Sequence, residues 1–172
     1  MKTMQQEQVI RQLRTLNKIY GRVFFTLILL LLVSSIAVSQ YGAWVIHEPG
    51  FQATIKTIAF AVAGLLLVVA YVYPQRKMRK MPDDLDLSEK MKQFRTLITH
   101  RLLLIFAAGV FTCLFFTLTG DTNLMMVLAI IIILLIMARP TPFKTATDLR
   151  LSEEEKQFLF QKPSDNQHDK HE

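Results

Sequence analysis

His47 and Glu48 stand side by side, and an imidazole next to a carboxylate is the residue pairing of a general acid and base. Trp44, Pro49 and Phe51 surround them, and no nucleophile or ligand-type residue recurs nearby at a useful spacing. Aromatic residues around a polar loop tip are the signature of a membrane interface, which is the stronger reading. His168 and His171 alternate with Asp169 and Glu172, a set able to hold a metal weakly, yet a polar, solvated tail over residues 161–172 accounts for them. Cys113 is the one cysteine, so it closes no internal disulfide and reads as a small packing residue. The chain has no Walker-type loop, no H-E-x-x-H and no C-x-x-C. The sequence therefore leads to the expectation of a non-enzymatic protein with no cofactor and no metal site.

The basic residues are arranged for a different chemistry. Arg11, Arg14, Lys18 and Arg22 recur at helical spacing, and Ile10, Leu13, Leu16 and Tyr20 form the opposite side. Further on, Lys92, Arg95 and Thr99 flank an apolar stripe of Met91, Phe94 and Ile98, and Arg101 closes the run. Amphipathic basic helices of this kind lie on anionic lipid, or project from the membrane as continuations of a spanning helix. Headgroup anchoring is the first expectation for both, and docking of a protein partner the second. Gly21 makes a bend easy after the first stretch. No Gly or Pro separates Ser88 from Leu102, so one helix is expected from about 88 to 119.

Four windows impose the elements that must carry these stretches. Residues 23–40, 57–73, 102–119 and 124–138 hold 18, 17, 18 and 15 residues and contain no Asp, Glu, Lys or Arg. All 20 basic and 14 acidic residues lie outside them. A soluble helix alternates apolar and polar faces, whereas these windows are apolar all round. A hydrocarbon core of about 30 Å needs roughly 17–25 such residues per helix. The fourth window is short, and Thr122 and Asn123 are expected to complete it at the interface. A water-soluble domain, a nucleic-acid-binding module, a disulfide scaffold and a closed barrel of strands are excluded by this pattern.

Charge sets the orientation. Residues 1–22 carry five basic side chains against Glu7, and residues 74–101 carry eight. The loops between the windows of each pair carry only Lys56 and Glu48 in the first, and Asp121 in the second. By the positive-inside rule both termini and the central loop are cytoplasmic. A cleavable leader is a weaker alternative. Residues 23–38 could form its apolar core and Ala37-Val38-Ser39 its cleavage site, but its basic region would be unusually long and the window has an internal counterpart.

That counterpart belongs to a repeat. Arg11-Gln12-Leu13-Arg14-Thr15-Leu16 returns as Lys92-Gln93-Phe94-Arg95-Thr96-Leu97. The pattern D-L-x-L-S-E-x-x-K-Q-F occurs at residues 84–94 and again at 148–158. Each copy follows a proline, Pro74 or Pro140, expected to end the preceding helix. The unit reads as lead-in, helix out, short loop, helix back, so two copies form parallel repeats about an axis along the membrane normal. The D-L-x-L-S-E pattern is a helix-start device: Ser152 with Glu155 makes a capping box, and Asp86 with Glu89, or Ser88, caps the earlier copy.

Inside the windows no ionisable residue marks a transport path; the nearest, Lys56, His100 and Asp121, lie at the edges. Ser34, Ser35, Ser39, Thr112, Thr117 and Thr119 are expected to bond their own backbone or a neighbouring helix. Ala59, Ala63 and Gly64, with Ala108 and Gly109, are the expected close-packing positions.

The stretch D-L-x-L-S-E-x-x-K-Q-F-R-T-L followed by two apolar windows resembles the small four-helix membrane proteins common in Bacteroidetes-type bacteria. There, a lead-in L-S-E-x-x-x-x-Y-R-T precedes a helix, a T-G-[DN] turn, a second helix, R-P and a D-L-x-L-S-x-E-E ending. The matching pieces here are residues 87–97, Thr119-Gly120-Asp121, Arg139-Pro140 and residues 148–155, with Phe94 where the family has Tyr. The match covers mainly the second half of the chain. The resemblance implies a bacterial inner-membrane location and brings no activity or functional residues.

The expected architecture is an all-α polytopic membrane protein. Its four transmembrane helices form two parallel-repeat hairpins with amphipathic cytoplasmic lead-in helices. Residues 1–83 form the first lead-in and hairpin, 84–147 the second, and 148–172 a cytoplasmic tail with a short helix and then disorder. The expected function is that of a non-enzymatic accessory, scaffold or lipid-interacting protein of the inner membrane; a small oligomeric transporter or channel is the alternative. Its expected partners are the bilayer and either a membrane protein or a second copy of the chain, and not nucleic acid. Arg11, Arg14, Lys18, Arg22, Lys92, Arg95 and Arg101 are the expected lipid or partner contacts.

Overall fold

The computed structural model describes residues 2–42, 49–82, 87–149, 151 and 156. Five helices account for nearly all of them: α1 (Lys2–Tyr41), α2 (Pro49–Arg79), α3 (Leu87–Thr119), α4 (Thr122–Met137) and α5 (Pro142–Asp148). No strand occurs among the described residues. Trp44, His47 and Glu48, the caps at Asp86, Ser152 and Glu155, and the tail with His168 and His171 lie outside the described residues.

The lead-ins are not separate helices. α1 runs unbroken through Gly21 for 40 residues, and α3 carries its lead-in straight into the apolar window over 33 residues. At 1.5 Å per residue α1 is about 60 Å long, roughly twice the hydrocarbon thickness, so its basic half stands clear of the apolar half. The apolar stripes of the lead-ins are spent on each other. Val9, Leu13 and Leu16 of α1 and Met91, Phe94 and Ile98 of α3 are all buried in one cluster. Ala146, Leu149 and Leu151 join it from α5 and the residues just after it. Burying a side chain such as Phe94 stabilises by about 1.5–3 kcal/mol where water is the alternative. Flat anchoring of either stripe on lipid is therefore replaced by projection, because the stripe is already covered.

α3 is the hub. It packs against α1, α2 and α4, whereas α1 and α2 scarcely touch each other. The first pair of helices is thus a hairpin in chain order, with α3 wedged between its arms. Toward the far end a second cluster gathers Ala59, Cys113, Phe116, Leu124 and Leu128. Ser34 of α1 and Cys113 of α3 are both buried. Thr112, Thr117 and Thr119 donate to the carbonyls of Ala108, Cys113 and Phe115 on their own helix.

The two prolines act differently. Pro74 does not end α2, which continues to Arg79. A proline inside a helix loses one backbone bond, which a membrane helix tolerates, and Arg76, Lys77 and Arg79 suit the negative end of the helix dipole. Pro140 does coincide with a break: α4 and α5 meet at 83°. Arg139 precedes a proline and is pushed out of helical geometry. The Lys144 ammonium donates to the Met137 carbonyl at 2.6 Å, covering the open end of α4. Thr141 then caps α5, its hydroxyl accepting from the Lys144 amide, and Pro142 occupies the first turn.

The surface fits lipid. Three helices, Val9–Tyr41, Ala53–Arg79 and Leu87–Thr119, are long and apolar enough to cross a membrane, and a fourth crossing is reached only if α4 and α5 count together. Their most apolar 18-residue windows are only 11%, 17% and 39% buried. Phe25, Leu29, Leu32, Val33 and Ile36 line the outside of α1, and Met126, Ile130 and Ile133 the outside of α4. Exposed apolar area of that extent does not stay dispersed in water.

Candidate functional site

All the basic stretches converge on one end of the bundle, because α1 and α3 begin there and α2 and α4 finish there. Arg11, Arg14, Lys18 and Arg22 are exposed along α1, and Lys92 and Arg95 are exposed on α3. The common cause is the helical period: with Leu13, Leu16, Phe94 and Ile98 turned inward, residues a half-turn away face outward.

Arg101 departs from this set. Expected as a lipid or partner contact, it is only 9% exposed. Its guanidinium carbon lies 3.9 Å from the centre of the Tyr71 ring, an arrangement in which the ring face attracts the cation. Its buried Nε has no hydrogen-bond partner among the described residues. The Tyr71 hydroxyl donates to the Leu134 carbonyl of α4 at 3.1 Å. Tyr71 therefore joins α2, α3 and α4. The spacing held a clue, since 94, 98, 101, 105, 108 and 112 form one inward stripe that includes Arg101, and Lys90, one turn before Phe94, is buried as well. Asp148 at the end of α5 feels the charges of Lys144 and Arg101, but burial outweighs them and raises its pKa.

Beside this clamp lies an open cleft of about 500 Å³ between the last turns of α2 and the first half of α3. Lys77 lines it from α2; Lys92, Thr96 and His100 line it from α3. Leu97 is buried at its wall, and Glu89 is its one acid among the described residues.

At the opposite end Lys56 and Asp121 form an ion pair at 2.5 Å, tying the start of α2 to the turn between α3 and α4. That turn has Gly120 at φ 65°, which suits a residue without Cβ, and Asp121 accepting from the Asn123 amide at 2.8 Å as the cap of α4. The Lys56 ammonium, first, and the Asn123 amide hold the Asp121 carboxyl below its ordinary pKa, against a smaller opposing effect of burial.

Of the close-packing positions, Ala59, Ala63, Ala108 and Gly109 are buried, as small residues at helix contacts should be. Gly64 is exposed with open space around it, so it takes no part in packing within the chain. Among the described residues no three His, Cys, Asp or Glu side chains come together as a metal site would require. No family model, curated protein or solved structure matches this chain.

Proposed function

We propose that this protein is a non-enzymatic accessory or scaffold protein of a bacterial inner membrane, with four spans, both termini cytoplasmic, and a duplicated helix pair in its ancestry. The resemblance at residues 87–97 and 148–155 supports the location, and the basic ends of all the helices support the orientation. The fourth span is α4, whose 16 residues cover about 24 Å and need the interface, or a locally thin bilayer, at one end.

The observation that carries the functional reading is the burial of both lead-in stripes against each other. It leaves the basic face of α1 as a rigid outward surface. Headgroup layers add only about 5–8 Å on each side of the hydrocarbon. Arg22 and Lys18 lie within about 8 Å of the apolar window along the helix, whereas Arg14 and Arg11 stand about 14 and 18 Å away. The first two are placed for lipid and the second two for an acidic surface on another membrane protein.

Purification from native membranes in mild detergent, followed by mass spectrometry, tests this reading. The expected result is a stoichiometric partner whose retention falls severalfold when Arg11→Gln and Arg14→Gln are combined. A clean homo-oligomer, or a partner retained equally by that variant, overturns it.

A further inference from the structure

We infer that the cleft between α2 and α3 is a binding site for a phosphate-bearing anion, with its inner end, at Lys77 and His100, at the depth of the lipid headgroups. Its volume of about 500 Å³ suits a headgroup or a small ester. Two ammonium groups, Lys77 and Lys92, face it from different helices, and His100 adds a ring nitrogen able to donate. Among the described residues no carboxylate pairs with Lys77 or Lys92, and the Lys77 ammonium is held 5.7 Å from the centre of the Tyr73 ring. Gln93 contributes amide donors. Thr96 uses its own hydrogen on the Lys92 carbonyl at 3.1 Å. Donors thus come from Lys77, Lys92, Gln93 and His100, whereas the Thr96 hydroxyl is left as an acceptor and Glu89, among the described residues the one acid of the lining, sits at the end farthest along α3 from the apolar window.

Depth favours a lipid as the source. His100 lies about 3 Å before the third apolar window and Lys77 about 6 Å beyond the second, measured along their helices, which is headgroup level; Lys92, about 15 Å before the third window, marks the solvent end of the cleft. One turn further into the bundle, Tyr73 and Leu103 are both exposed, an apolar flank for acyl chains next to the charged cleft. A soluble phosphate ester shares the headgroup chemistry and would use the same lysines. This inference rests on the reading that these helices span a membrane, and not on any partner docking at α1.

The experiment is a titration of the full-length protein in detergent with short-chain phosphatidylglycerol, read by native mass spectrometry, with short-chain phosphatidylcholine and glycerol phosphate in parallel. The variant Lys77→Gln/Lys92→Gln is compared with Arg11→Gln/Arg14→Gln, which removes the same charge from the exposed face of α1. Phosphatidylglycerol is expected to bind at least tenfold more weakly to the cleft variant and unchanged to the α1 variant. Glycerol phosphate binding as tightly as the lipid would keep the cleft as a phosphate site and make its ligand soluble; much weaker binding assigns it to lipid. Equal losses in both variants, no loss in the cleft variant, or equal binding of phosphatidylcholine would overturn the inference. A melting curve of each variant separates lost binding from lost fold. Partner retention in the preceding experiment depends on Arg11 and Arg14, so either reading can fail alone.

Discussion

The side chain of Leu27 in α1 fills the space that a Cβ on Gly109 of α3 would occupy: its Cδ2 and Cγ would lie 3.1 and 3.2 Å from such an atom, and its Cδ1 closer still. Leu27 is fully buried, so it has no outward rotamer to retreat into. Gly109→Ala should therefore force α1 and α3 apart and cost about 1–3 kcal/mol. Gly64→Ala, in open space, should cost nothing measurable. Adding Leu27→Ala to Gly109→Ala should recover part of the loss, so that the two substitutions are strongly non-additive in thermal unfolding of the purified protein. Additive effects would show that the two residues are not coupled.

Tyr71 and Arg101 make a second coupled pair. Tyr71→Phe keeps the ring over the guanidinium and removes only the bond to the Leu134 carbonyl, a loss of about 1 kcal/mol. Tyr71→Leu also removes the ring and leaves a buried cation without its aromatic partner, so it should cost distinctly more, on the order of 2–4 kcal/mol. In an Arg101→Met background the difference between the Phe and Leu variants should shrink. Unfolding of the six proteins in the same detergent measures it, and an undiminished difference would remove the cation from the account.

These two pairs show where sequence reading stops. Apolar windows and basic loops are one-dimensional signals, and they foretold the helices and the end at which the charges gather. The face of a helix and its neighbour are two-dimensional facts. Nothing in the order of the windows places α3 between α1 and α2, so the seating of Leu27 on Gly109 and the burial of Arg101 were not legible. Gly64 and Gly109 look alike in sequence, and only the packing partner separates them. α5 does have a signal in the sequence, since Thr141 followed by Pro142 is a cap and a first-turn proline, but at seven residues it is too short to show a period. Pro74 signals a stop in water; α2 runs through it, as helices do in lipid. The cleft joins Lys77 to residues 12 and more positions along the chain, a juxtaposition that depends on the angle at which α2 meets α3.

The Lys56–Asp121 pair makes stability depend on pH at one end of the bundle. Asp121 has its folded-state pKa below the model-compound value of 3.8. Its contribution is therefore complete above that value and disappears as pH falls through the lower, folded-state pKa. Wild type and Asp121→Asn should differ in melting temperature by a constant amount between pH 7 and 5, and the difference should close as the pH falls below 3.8 through the folded-state pKa. Both partners are partly solvated, so the difference should be small and should decrease with added salt. A gap that persists at low pH would mean that the carboxylate's charge is not what ties α2 to the turn.

Orientation and the fourth span can be tested together by labelling. Cys113 is buried, and Cys113→Ser provides a background without a thiol. Single cysteines placed at Lys18, Asn123 and Thr147 then report three levels, all of them exposed positions. With α4 crossing the membrane, an impermeant maleimide added to intact cells, once it has passed the outer membrane, should modify Asn123→Cys and leave Lys18→Cys and Thr147→Cys untouched until the inner membrane is opened. If α4 and α5 turned back within the bilayer, Asn123 and Thr147 would still differ in depth but Thr147→Cys would resist the reagent even in opened membranes. Labelling of Lys18→Cys from outside would invert the whole arrangement, and with it the assignment of the basic end to the cytoplasmic leaflet.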